Sequence, residues 1–230
     1  MRPMPIVPPV EDAWLVIPVF NEQSVIGQVV AEARATFPHV ICVDDASTDS
    51  SGARAAEAGA VVVTHPYNLG QGASLQTGID YALRHTDAAY LVTFDADGQH
   101  RTIDAVAMVE RARDEGLAVV FGSRFLDDRT KPGFLKRLVL KTAVWVTNMS
   151  TGMKLTDAHN GLRVIRRDAA AKIDLEQNRM AHATEIVLQI GRTKLPWAEH
   201  PVEIIYTDYS KAKGQSLFNS VNILWDLVVN

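Results

Sequence analysis

Cysteine is nearly absent. Cys42 is the only one in 230 residues, which excludes a disulfide framework. It lies in the apolar run Val40-Ile41-Cys42-Val43, where a buried, inert thiol is expected. An excess of positive charge is also missing. The chain has 23 Lys and Arg against 27 Asp and Glu, a formal net charge of -4, which argues against a broad nucleic-acid-binding surface. No run reaches the roughly 18 continuous apolar residues that a membrane-spanning helix needs. The start, Met1-Arg2-Pro3-Met4-Pro5, carries too much proline for a signal peptide, so residues 1–12 read as a disordered lead-in. What remains is an ordinary globular composition, 47% hydrophobic and 22% charged. It suits one large α/β domain as well as two small ones.

Short β-branched runs alternate with helical patterns of about three turns. Strands are expected at Trp14–Val19, Val40–Val43, Ala60–Thr64, Ala88–Thr93 and Leu117–Phe121. Asn21 can cap a helix from about Glu22 to Phe37, with Val25, Ile26, Val29, Val30 and Ala33 on one face. Ser47, Thr48 and Asp49 offer caps for a helix through Ala58. Leu75, Ile79, Ala82 and Leu83 stripe the next helix, and Ile103–Glu115 follows. This alternation predicts an α/β fold with a mainly parallel, twisted sheet and helices on both faces. Beyond residue 125 the pattern loosens. An amphipathic segment, Phe134–Met149, leads to a strand near Asn160–Ile165, a helix near Thr184–Gly191, a strand at Val202–Tyr206 and a last helix at Ser216–Val229.

Three strand ends carry polar groups: Pro18-Val19-Phe20-Asn21-Glu22, Asp44-Asp45-Ala46-Ser47 and Asp95-Ala96-Asp97. In a parallel sheet these converge on one edge, where such folds bind ligands. Taken alone, Asp44-Asp45 could as readily cap the next helix. Asp95 and Asp97 repel each other, so a cation is expected beside them. Magnesium- and manganese-type ions take oxygen ligands, and substrate phosphates complete the set. Asn68-Leu69-Gly70-Gln71-Gly72-Ala73 opens a helix, whose N-terminus favours anions. It matches neither a dinucleotide fingerprint nor a P-loop. Arg124 ends another strand on the same edge, and Arg137, Arg163 and Lys211 are further cations suited to phosphate.

These pieces, in this order, resemble family 2 glycosyltransferases of the glycosyltransferase-A fold, across Leu15 to Val229. Asp157–Arg163 and Lys211–Ser216 look most like the dolichyl- and polyprenyl-phosphate sugar transferases. The resemblance implies a single catalytic domain over 13–230, with a nucleotide-binding half (13–125) and an acceptor-binding half (126–230). Pro18, Phe20, Glu22, Asp44 and Asp45 would hold the base and ribose of a nucleotide sugar. Gly70, Gly72 and Ala73 would pack against the nucleotide. Asp95, Ala96 and Asp97 would line the diphosphate, and Asp95, Asp97 and Gln99 would hold Mg²⁺ or Mn²⁺. Arg124, Arg137, Arg163, Lys211 and Ser216 would meet an acceptor phosphate. The family loop Arg-x-x-Gly-x-Ser-Lys reads Lys211-Ala212-Lys213-Gly214-Gln215-Ser216-Leu217 here, and Lys cannot grip bidentately as Arg does.

Direct displacement would invert the anomeric centre. Members with sugar-hydroxyl acceptors use an acid from a Glu-Asp pair, but this chain reads Glu185-Ile186. A phosphate monoester, with a second pKa of about 6, needs no base. Such an acceptor needs cations, and Arg124 and Arg137 without an obvious base therefore favour a polyprenyl phosphate, with Asp97 and Arg124 as the catalytic pair. Glu185 is a base candidate or an ordering residue. A lipid acceptor implies a cytoplasmic enzyme at the inner face of the membrane, touching it through the mixed apolar and basic segment from Phe134 to Trp145. The last helix could pack in the core, form a homodimer or meet a membrane protein. Three rivals stand: transfer to a sugar hydroxyl, a non-catalytic nucleotide-sugar sensor, and a haloacid-dehalogenase-type phosphatase. The last usually continues Gly-Thr after its second Asp, where this chain has Gly98-Gln99.

Overall fold

The computed structural model describes residues 8–127, 144, 148–149, 151–178 and 181–205. Seven strands form one sheet: β1 (Ala13–Val19), β2 (His39–Asp44), β3 (Val61–Thr64), β4 (Tyr90–Thr93), β5 (Val119–Ser123), β6 (Arg163–Arg166) and β7 (Trp197–Pro201). Their order is β3-β2-β1-β4-β6-β5-β7. The helices are α1 (Ile26–Arg34), α2 (Ser51–Glu57), α3 (Gln71–His85), α4 (Thr102–Asp114), α5 (Arg167–Ala170) and α6 (His182–Thr193).

Both sheet faces are buried, and alternation along each strand sorts the side chains. Leu15, Ile17, Val40, Cys42 and Val92 face the layer that holds Ile26, Val30 of α1 and Met108, Val109 of α4. Val16, Ile41, Val43 and Leu91 face the other layer, with Leu75 and Ile79 of α3 and Ile186 and Ile190 of α6. This is the two-faced, mainly parallel sheet that the sequence pattern predicts. Cys42 is buried, and burial pushes its thiol up to about 12.

β6 departs from the parallel pattern. It pairs antiparallel with both β4 and β5. Its start, not its end, therefore reaches the edge where β1, β2, β4 and β5 finish. That reversal brings residues 157–163 to the ligand edge.

Several boundaries differ from expectation. The lead-in stops short of residue 12, since Val10 is buried and its N–H donates to Thr36 O at 2.8 Å. Asn21 does not cap α1, which starts only at Ile26. Its Oδ1 instead accepts from Thr48 N at 2.9 Å, tying two strand-end loops together. Asp49, two residues before α2 begins, accepts from Ser51 N at 2.9 Å, while Ser50 at the N-cap makes no side-chain cap bond. The strand expected at Val202–Tyr206 lies earlier, as β7, and Ile204 makes only an isolated bridge with His100. Arg137, Lys211, Ser216, the segment 128–143 and the helix expected at 216–229 lie outside the described residues.

Candidate active site

The acids converge as expected, but their side chains do different work. Asp95 and Asp97 follow β4. His100 Nε2 lies 2.8 Å from Asp95 Oδ2, and its ring packs edge-on against Phe94, 5.3 Å between centroids. The Asp95 side chain keeps 32% of its exposure. Burial of its inner side would raise its pKa, but His100, Arg163 and His182 outweigh that and hold the carboxyl below the usual range. Asp97 moves the other way. Burial raises it first, then repulsion from Asp95, with a further contribution from Glu22. A carboxylate strained by two neighbouring acids is a site that a cation would relieve.

Gln99 donates to this pair rather than offering it a third oxygen. Its backbone N–H reaches Asp97 Oδ1 at 3.0 Å, and its side-chain amide reaches Oδ2 at 2.6 Å. It therefore orients Asp97. Gly161, at the approach to β6, lies directly against Asp95. A Cβ built there would fall 2.4 Å from Asp95 Oδ2 and 2.7 Å from Oδ1. Thr93 Oγ1 donates to Gly161 O at 2.6 Å and fixes that approach.

Arg124 leaves β5 and meets Asp157 in a two-pronged pair. Nε to Oδ2 is 2.6 Å and Nη2 to Oδ1 is 2.7 Å, with Arg124 N adding a third bond at 3.1 Å. The Asp157 side chain is fully buried. Burial would raise its pKa, but Arg124 holds it well below the ordinary range. Arg163 is 1% exposed. Burial lowers its pKa to about 10, while Asp95 and Asp157 resist that fall. It stays charged at neutral pH beneath the site, balancing both acids. This corrects its expected contact with a phosphate. His159, beside it, is pushed down to about 4 by burial, so its imidazole is neutral.

The family model for glycosyl transferase family 2 matches residues 14–174. An N-acetylglucosaminyltransferase of Methanococcus voltae, named for UDP-N-acetylglucosamine and dolichyl phosphate, is 27% identical over 94% of this chain and 94% of its own. The polyprenol monophosphomannose synthase of Mycolicibacterium smegmatis is 33% identical over 73% of this chain and 66% of its own. Among solved structures, glucosyl-3-phosphoglycerate synthase from Mycobacterium tuberculosis, with Mn²⁺, UDP and glucosyl-3-phosphoglycerate, superimposes with a TM-score of 0.65. It is 16% identical, covering 95% of this chain and 80% of that one, so it speaks for the glycosyltransferase-A fold alone. The chain belongs to glycosyl transferase family 2.

In this transferase the acids after β2 brace loops. Asp44 Oδ1 accepts from Ser47 N at 3.0 Å. Asp45, 3% exposed, accepts from Leu69 N at 2.8 Å and Gly70 N at 2.7 Å, while His65 Nδ1 lies 2.8 Å away. His65 Nε2 reaches Thr77 Oγ1 at 2.9 Å. Neither acid caps the next helix, α2: Asp44 bonds Ser47 ahead of it and Asp45 bonds residues 69 and 70. Asp45→Ala would strand two amides and His65. Leu69 and Gly70 are only half-buried, so their amides can regain water and the buried His65 carries most of the cost; urea unfolding should show a loss of about 1–3 kcal/mol.

The two glycines of the next loop are explained by the chain itself. Gly70 has φ +96°, open to glycine at little cost. A Cβ on Gly72 would lie 1.9 Å from Gln177 O, and Gly72 N donates to Asn178 O at 3.3 Å. They admit the 177–178 backbone. Glu185 likewise orders its surroundings. It accepts from Glu176 N at 3.1 Å, Gln177 N at 2.9 Å and the Gln189 amide at 3.3 Å. Pro18 lies near the end of β1, Glu22 just beyond it, Ala96 after β4 and Ala73 in the first turn of α3, and Phe20, just past β1, is 44% exposed.

Sequence reasoning gave no role to His65, His100, Asp157, Gly161 or Glu199. Gly161 lies inside the Asp157–Arg163 motif, and His100 lies three residues past Asp97. Only the fold shows that both touch Asp95.

Proposed function

We propose that this chain moves a sugar from a nucleoside-diphosphate sugar to a polyprenyl phosphate, with Mg²⁺ or Mn²⁺ at Asp95 and Asp97. The observation that carries this reading is a strained carboxylate pair after β4 with a cation, Arg124, at the end of β5 on the same sheet edge, one strand removed. The relatives named for dolichyl phosphate and polyprenol support the lipid acceptor.

The donor set fits a hard divalent cation. Asp95 and Asp97 supply carboxylate oxygens, and Asp97 is destabilised as an anion by burial and Asp95. Among the described residues no group of three or more His, Cys, Asp and Glu side chains is arranged to hold a metal. Two carboxylates completed by substrate phosphates match how such ions bind in nucleotide sites. When bound, the ion offsets charge that develops on the leaving diphosphate.

The chain's own residues do the rest. Gln99 and His100 hold the two carboxylates in place. Phe20, with Pro18, offers an apolar wall for the base. An acceptor phosphate oxygen attacks the anomeric carbon as the bond from that carbon to the diphosphate oxygen breaks. The configuration inverts. The phosphate is already largely ionised at neutral pH, so no proton has to move. That agrees with the engagement of Glu185, whose oxygens are occupied by backbone N–H groups. A lipid acceptor puts the reaction at a membrane surface. Among the described residues no helix is long and apolar enough to cross a membrane.

Nucleotide sugars with manganese should be screened by thermal shift, and the best donor incubated with a short polyprenyl phosphate. A lipid-linked sugar phosphate and free nucleoside diphosphate are expected. Transfer to sugar hydroxyls but not to the lipid phosphate would overturn the acceptor. Arg124→Ala should raise the acceptor KM while leaving nucleotide affinity, measured by calorimetry, little changed. An equal loss of nucleotide affinity would remove Arg124 from the acceptor side.

A further inference from the structure

The Arg124–Asp157 pair does not stand by itself. Asp157 lies in a turn outside any strand or helix, and a turn needs an anchor to hold a charge in one place. Glu199 of β7 supplies it. Glu199 Oε1 accepts from Thr156 N at 2.8 Å, Thr156 Oγ1 at 3.0 Å and Asp157 N at 3.0 Å, and Oε2 accepts from Thr156 N at 2.9 Å. Thr156 Oγ1 also lies 2.7 Å from Ser123 Oγ, one residue before Arg124. β7 pairs with β5 in register, Phe121 opposite Glu199. The edge strand therefore grips the turn, and the turn grips the arginine.

Glu199 is poorly placed for chemistry of its own. Its oxygens are turned into the 156–157 backbone. Burial raises its pKa, partly offset by the bonds from Thr156 and Asp157. An acid kept half-buried to collect backbone N–H groups acts as a bracket.

We infer that Glu199 is a positioning residue for the acceptor phosphate, fixing Arg124 through the Thr156–Asp157 turn. This rests on the reading of Arg124 as an acceptor contact. Loss of a residue that orients a ligand-binding group costs on the order of 10–100-fold in function, and the loss here should fall on the acceptor.

The test uses the full chain, Mn²⁺, a UDP- or GDP-sugar found by thermal shift, and short-chain polyprenyl phosphate. Glu199→Ala should raise the acceptor KM on the order of 10–100-fold with nucleotide affinity little changed. Glu199→Gln should recover most of that loss, because one amide oxygen in the Oε1 position keeps three of the bonds. Thr156→Val, a milder change, keeps the backbone N–H and removes the hydroxyl contacts with Ser123 and Glu199. It should shift the acceptor KM the same way by less, and it serves if Glu199→Ala fails to fold. A Glu199→Gln variant as damaged as Glu199→Ala would overturn the bracket, since charge would then be what matters. Equal loss of nucleotide affinity and acceptor use would overturn it too, as a general structural defect. Arg124→Ala separates the two readings. If it weakens acceptor use while the Glu199 and Thr156 variants do not, this inference fails and the acceptor reading stands. If it weakens only nucleotide binding, the acceptor reading itself fails.

Discussion

Replacing Asp97 with Asn should abolish sugar transfer and manganese-dependent donor binding, yet raise the melting temperature of the metal-free protein. The two effects have one cause. Asp97 is a partly buried anion beside Asp95, and burial and repulsion both raise its pKa. An amide has the same shape and no charge, so the metal-free fold loses a repulsion. It also keeps its bonds, because its oxygen can accept from Gln99 N and the Gln99 amide can turn to meet its nitrogen. The bound state loses more. A ligand at 100 times its Kd adds about 2.7 kcal/mol of stability, and that increment should vanish. Thermal unfolding with and without manganese and the donor sugar checks both signs. An Asn variant that keeps the manganese-dependent shift would remove Asp97 from the metal site.

Gly161→Ala is expected to disable the enzyme without unfolding it. The new methyl would occupy space 2.4 Å from Asp95 Oδ2. The backbone cannot withdraw easily, because Thr93 Oγ1 holds Gly161 O at 2.6 Å. The carboxylate must therefore swing away from His100. Overpacking of this kind costs about 1–3 kcal/mol, which a folded domain of this size tolerates. A reacting geometry displaced by an ångström can lose on the order of 100-fold in rate. Turnover should fall by about that factor, with weaker manganese binding and a modest drop in melting temperature. Full turnover would show that Asp95 has room to move.

Much of this was legible in the chain because it is local. Apolar runs of four to six residues, each followed by polar groups, fix the strands and put Asp44, Asp95 and Arg124 on one edge. The partners those side chains choose are not local. Asp45 bonds residues 24 and 25 positions away, and Arg124 bonds one 33 away. No pattern near either residue announces those partners. Arg163 looks like any surface arginine until its strand is found between β4 and β5. β7 escapes for a different reason. Trp-Ala-Glu-His-Pro is half-buried throughout, so it has neither the continuous apolar run of an inner strand nor the alternation of an outer one. The glycines at 70 and 72 suggest close approach, which is correct, but the visitor is the chain's own backbone.

The insertion of β6 also has a consequence for how the protein is made. A ribosome releases β4 and β5 well before it releases β6, which must lie between them. Until residue 166 emerges, each of those strands presents an unpaired edge, and open edges invite pairing with other chains. The nascent chain must therefore delay closing the gap between β4 and β5 until residue 166 has been synthesised, and Asp95, Asp97 and the buried Arg163 come together only in that late step. Nonsense fragments ending before β6 should accordingly aggregate rather than persist as half-enzymes that hold nucleotide sugar without using it.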